Sequence, residues 1–143
     1  MADYEYSPLS NGQIRLLSID PALDPPDHPI SCRLVTTELR TGLSYRALSY
    51  VWGPPHPEAE IRLDGHPVTV RANLAAILQA IRSTCRATYL WIDAICVNQK
   101  HNEEKAEQVA VMADIYYQAE EVLMWLGPSN ETTKADMAMF RSV

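Results

Sequence analysis

Three short apolar runs in the second half of the chain, alternating with stretches of helical period, constrain the fold more than any other feature. The runs are "YRALSYVW" (45–52), "TYLWIDAI" (88–95) and "EVLMWLG" (121–127). Their length suits buried strands, and turn residues close two of them, at Gly53-Pro54-Pro55 and Gly127-Pro128. In "NLAAILQAIR", Leu74, Ile77, Leu78 and Ile81 recur at i, i+3, i+4 and i+7, with Asn73 placed as an N-cap. A second helical pattern covers 103–119. Strands alternating with helices predict an open, mainly parallel α/β sheet with helices on its faces.

The first half adds strands. "QIRLLSI" (13–19) and "SCRLVTTEL" (31–39) are separated by the Pro-rich "ALDPPDHP". "EIRLDGHPVTV" reads as a β-hairpin turning at Asp64-Gly65, and Pro67 places that hairpin at a sheet edge. The segment 132–141 has a helical pattern that stops without a cap, so residues 1–143 are expected to form one domain at the N-terminal part of a longer protein.

The 103–119 helix carries three stripes at 100° per residue. Ala106, Val109, Ala110, Ala113, Tyr116 and Tyr117 form an apolar face suited to the sheet, and Glu103, Glu107, Asp114 and Gln118 form a solvent arc. Glu104 and Gln108 share the third stripe with Val111 and Ile115, beside Met112. A carboxylate in line with apolar neighbours is partly desolvated, which by itself raises its pKa. Just upstream, Trp91, Asp93, Cys96, Asn98 and Gln99 crowd the end of an apolar strand, the edge where open α/β sheets bind ligands.

Composition narrows the chemistry. A net charge of −6 argues against sequence-independent binding of DNA or RNA, although one nucleotide needs only an arginine or two. No run approaches the ~20 apolar residues of a membrane span, and "MADYEYSPLS" lacks the features of a signal peptide. A soluble, cytoplasmic protein is expected. Cys32, Cys85 and Cys96 form no CxxC, and Cys96 with His101 lacks a second pair to complete a zinc site. No cofactor is called for.

"YRALSYVWG" (45–53), "LWIDAICVNQ" (90–99), "EKAEQVAVMADIYYQA" (104–119) and "VLMWLG" (122–127), in this order, resemble the fungal HET (heterokaryon incompatibility) domain. Against the family pattern, "CVNQ" replaces "CINQ" and Glu104-Lys105 replaces Glu-Arg. The resemblance implies a module that triggers regulated cell death after non-self recognition, joined to other domains. It also implies a remote likeness to TIR domains, some of which cleave NAD and assemble into homo-oligomers on activation.

On that likeness Glu104 takes the place of the TIR glutamate beside the nicotinamide riboside, and Ser49, Tyr50 and Trp52 form the opposite wall. Asp93, Asn98, Gln99 and Gln108 are then polar contacts to NAD or a related nucleotide, with shaping of the loop the alternative role for Asp93. Ser49 to Trp52 and Glu104 should open onto one cleft. Two alternatives stand beside NAD cleavage: a non-catalytic self-assembly module, and a cysteine hydrolase using Cys96 with His101.

Overall fold

The structure, a computed structural model, describes residues 4–20, 29–84, 89–125 and 140–142. Its elements are β1 (Gln13–Ile19), β2 (Ser31–Glu38), β3 (Arg46–Ser49), β4 (Glu58–Leu63), β5 (His66–Arg71), α1 (Ala72–Thr84), β6 (Tyr89–Trp91), α2 (Asp93–Cys96), α3 (Asn102–Ala110), α4 (Met112–Gln118), β7 (Glu121–Trp125) and β8 (Phe140–Ser142). The strands form one open sheet in the order β5-β4-β2-β1-β6-β3-β7-β8.

The sheet is mixed, which corrects the expectation of a mainly parallel one. β6, β3 and β7 form a parallel centre, and β2 pairs β4 in parallel. The other pairings are antiparallel: β1 with β2, β1 with β6, β4 with β5 and β7 with β8. A parallel connection needs a long crossover, usually a helix. The sequence between β1 and β2 is Pro-rich without helical period, so these strands return antiparallel over their full length. The expected hairpin does sit at the edge: Asp64 (φ 52°) and Gly65 (φ 81°) turn it with two left-handed residues, and Pro67 lies on outermost β5.

α1 buries the face its periodicity predicted. Leu74, Ile77, Leu78 and Ile81 are at most 3% exposed, and the helix lies against β4 and β5. Asn73 is inside α1 rather than capping it. The amide of Ala72 donates instead to the Pro57 carbonyl, and Asn73 Nδ2 donates to the Val51 carbonyl at 2.8 Å. That bond ties α1 to the loop after β3. β3 itself is shorter than the apolar run, so Tyr50 to Trp52 leave the ladder and are free to shape a surface.

The run 88–95 also divides. β6 ends at Trp91, and the amides of Ile95 and Cys96 turn back to the Ile92 carbonyl to make α2. Asp93 therefore opens a helical turn rather than sitting in a strand. The 103–119 helix breaks at Val111 (φ −107°, ψ 10°) into α3 and α4. Its buried stripe is Glu104, Gln108 and Ile115 with half-buried Met112, whereas Ala106, Val109, Ala110, Ala113 and Tyr117 are exposed. The face assignment is thus reversed. Of the expected apolar face only Tyr116 turns inward, meeting Trp91 edge-on at 5.6 Å. The expected helix 132–141 lies largely outside the described residues, and at 140–142 the backbone is the strand β8. No helix among the described residues is long and apolar enough to cross a membrane.

Leu78 is fully buried, so Leu78→Ala removes packed methyl groups and leaves a cavity. It should lower unfolding free energy by about 2–5 kcal/mol in urea titration. Val109→Ala, on the exposed helix face, should change it by no more than about 0.5 kcal/mol. Equal effects would contradict the face assignment.

Candidate functional site

Arg15 and Glu104 form a buried ion pair between the sheet and α3. Arg15 is 2% and Glu104 8% exposed. Arg15 Nη1 donates to Glu104 Oε2 at 2.6 Å, and Nη2 to Oε1 at 2.8 Å. This fork geometry makes a strong, directional contact. Oε2 also accepts the Asn98 amide at 2.8 Å. The guanidinium reaches further, to the carbonyls of Cys96 (3.1 Å) and Ser7 (2.6 Å), and the Tyr6 ring lies 4.6 Å from its Cζ. This one ion pair thus fixes strand β1, the loop after α2 and the N-terminal segment together.

The expected upward shift of the Glu104 pKa is reversed. Burial pushes it up, but the Arg15 hydrogen bonds, the Asn98 amide and the Arg15 and His101 charges together hold it below the ordinary carboxylate value. His101 also caps α3, its Nδ1 accepting the Glu104 amide at 3.1 Å.

A second constellation lies beside Trp52. Trp52 Nε1 donates to Asp93 Oδ1 at 3.3 Å, and Gln99 Nε2 donates to the Asp93 carbonyl at 2.7 Å. Burial raises the Asp93 carboxyl above its usual pKa, against the lowering bonds from Trp52 and from the backbone amides of Ala94 and Asp93. Tyr50, Trp52, Arg71, Thr69 and Gln99 line a hollow of about 220 Å³. An adjoining hollow of about 500 Å³ shares Glu58, Thr69, Val70, Ala94 and Gln99 with it and extends past Asn98 to Tyr4 and Tyr6. Aromatic walls with a few fixed polar groups are the usual make-up of a ligand site.

The structure brings Tyr50, Trp52, Asp93, Asn98 and Gln99 together. Among the described residues it does not bring Glu104 to them in one cleft, which corrects that expectation: Glu104 and Gln108 line a separate groove with Leu9, Gln13 and Glu38. Gln108 Nε2 faces the Gln13 carbonyl at 3.4 Å. Ser49 stays in the ladder, opposite Met124 of β7. Asn98 spends its side chain on its own loop, Oδ1 accepting the Lys100 amide at 3.2 Å.

Cys96 is fully buried, its Sγ held between the Ile92 amide and the Leu90 carbonyl, and burial pushes its thiol up to about 12. A thiol so held supplies almost no thiolate at neutral pH, and His101 is engaged elsewhere, so the geometry disfavours a cysteine hydrolase. Cys85 lies outside the described residues. Among the described residues no three His, Cys, Asp or Glu side chains gather as a metal set. Sequence reasoning missed Arg15 and Arg71. The signal for Arg15 was a lone cation between apolar neighbours in "QIRLLSI", which needs a buried anion.

The family model described as "Heterokaryon incompatibility protein (HET)" matches residues 45–143. The chain is 39% identical over 129 residues to "Heterokaryon incompatibility protein 6, OR allele" of Neurospora crassa. That alignment covers 81% of this chain and 19% of the relative, so the chain spans about a fifth of the relative's length. No solved structure matches the chain.

Glu104→Gln leaves Arg15 buried without its counter-charge and should lower stability by on the order of 3 kcal/mol at neutral pH. Because the folded pKa of Glu104 lies below its unfolded value, its contribution is present above about pH 4.3 and is lost as pH falls through the folded value. Urea midpoints of the two proteins should therefore converge on acidification. A gap that is absent at pH 7, or constant with pH, would contradict the pairing.

Proposed function

The chain belongs to the heterokaryon incompatibility (HET) family, and from that premise we propose that it is an effector domain for regulated cell death in fungal non-self recognition. In this reading it works in the cytoplasm, joined to further domains, by hydrolysing the nicotinamide–ribose bond of NAD. The observation that carries the chemistry is the Asp93 carboxyl, half-buried and bonded to the Trp52 indole that lines the hollow.

Cleavage of an N-ribosyl bond passes through an oxocarbenium-like centre, as glycoside hydrolysis does. A fixed carboxylate beside that centre stabilises the developing positive charge. Asp93 takes this role in place of Glu104, whose two oxygens are engaged by Arg15 and the Asn98 amide. Glu104 then supports the site from behind, holding the loop that presents Gln99. The remote likeness to TIR domains that the HET resemblance implies is what points to NAD as the substrate.

A second reading, a non-catalytic assembly module, is favoured by the exposed face of α3 and α4. Val109 is 55% and Tyr117 83% exposed, alongside Ala106, Ala110 and Ala113. Self-association through that face would also concentrate a catalytic site.

Purified protein incubated with NAD should release nicotinamide. Asp93→Asn should cut the rate on the order of 10²-fold, while Glu107→Gln, on the solvated arc, should leave it near its starting value. Absence of release at every protein concentration would overturn the catalytic reading. Concentration-dependent association abolished by Tyr117→Glu would then move the role to assembly.

A further inference from the structure

Arg71 lines a hollow with a charge that no carboxylate matches among the described residues. Arg15, Arg33, Arg40, Arg46 and Arg62 each pair with a carboxylate, and Arg82 donates to Gln79. Arg71, at the junction of β5 and α1, pairs with none among the described residues, although Glu58 is its register partner across β4. No acidic residue lies in the first turn of α1 beside it. Its guanidinium is nevertheless held in place: Nη1 donates to the Gly53 carbonyl at 2.7 Å, and Cζ lies 5.0 Å from the Trp52 ring centre. A planar cation clamped against an indole and a carbonyl is pre-organised, and guanidinium forks match phosphate oxygens.

The position matters as much as the charge. Arg71 lines the 220 Å³ hollow with Tyr50, Trp52, Thr69 and Gln99, and this hollow adjoins the larger one past Asn98. Together they suit a ligand longer than a single ring, with an anionic group at Arg71 and an apolar body beside the aromatic side chains. Glu58 lines both hollows and opposes an anion, so removing its charge should help binding.

We propose that Arg71 is the anion anchor of the Tyr50–Trp52–Gln99 hollow, and that the hollow takes a ligand carrying a pyrophosphate rather than a bare nucleoside. The inference rests on the reading of this hollow as the ligand site, and it adds the residue that holds the ligand's anionic group. The hydrolysis step does not involve Arg71, which orients and holds.

Isothermal titration of the protein with ADP-ribose, inorganic pyrophosphate and adenosine tests it without requiring turnover. ADP-ribose and pyrophosphate should bind, and adenosine should bind far more weakly. Arg71→Gln should weaken ADP-ribose at least roughly tenfold, the scale of one lost charged hydrogen bond. Arg71→Lys should recover part of the loss, and Glu58→Gln should bind more tightly than the parent. Melting temperatures report folding, and should Arg71→Gln fail to fold, Arg71→Met, which keeps an apolar stem beside Trp52, decides, since unchanged affinity there overturns the proposal. Adenosine binding as tightly as ADP-ribose, or equal ADP-ribose affinity for parent and Arg71→Gln, would also overturn it. Arg71-dependent ADP-ribose binding without NAD cleavage would keep the anchor and discard hydrolysis. NAD cleavage with an unchanged KM in Arg71→Gln would do the reverse.

Discussion

The Arg15–Glu104 pair is the constraint around which the rest of the structure is arranged. Two opposite charges, each nearly inaccessible to water, are tolerated only when their hydrogen-bonding capacity is met. Arg15 meets most of it through both carboxylate oxygens of Glu104 and the carbonyls of Cys96 and Ser7, leaving its Nε without a partner, and Glu104 adds the Asn98 amide. These contacts join β1 in the middle of the sheet to α3, to the turn after α2 and to the N-terminal segment. The pair also explains why α3 packs on its Glu104–Gln108 stripe and leaves Ala106, Val109 and Ala110 in water. A small apolar face offers little burial, whereas an unpaired Arg15 in the sheet would be prohibitive.

That choice of helix face reaches the candidate site through one short loop. The Asn98 amide rests on Glu104, and the neighbouring Gln99 side chain holds the Asp93 carbonyl. Asp93 in turn accepts the Trp52 indole, whose ring carries Arg71. From the other side, Asn73 of α1 holds the Val51 carbonyl and Arg71 the Gly53 carbonyl. The loop after β3 is therefore pinned at both flanks of Trp52, and the hollow is framed by bonds from α1, α2 and β5 rather than by a free loop.

The elements with a repeated local pattern were legible in the sequence. The α1 stripe, the Asp64-Gly65 hairpin and its edge position, and strands β1, β2 and β7 follow from periodicity and turn chemistry alone. The short strands were over-extended, because apolarity in 50–52 serves a loop wall in which Tyr50 packs on the core and Val51 is exposed, and apolarity in 92–95 serves a helical turn that buries Ile92 and Ile95. Strand direction was not legible either, since it is decided by how the chain returns. The Glu104 stripe was noticed as anomalous, but the pKa direction came out reversed: a helix seen alone shows the desolvation and hides the partner, which lies 89 residues away on β1. The grouping of Tyr50, Trp52, Asp93, Asn98 and Gln99 was readable from the strand-end rule, whereas the placement of Glu104 behind that group depended on Arg15.

A double-mutant cycle across Arg15 and Glu104 tests this account most directly. Arg15→Met and Glu104→Leu are made singly and together, and unfolding free energies are compared at pH 7. Each single change strands a buried charge, so each should destabilise strongly, while the double variant should regain most of the loss and give a coupling of roughly 2–3 kcal/mol. Strictly additive effects, with the double variant no better than the sum of the singles, would mean that the two charges do not depend on each other and that something else orients α3 and the Asn98 loop.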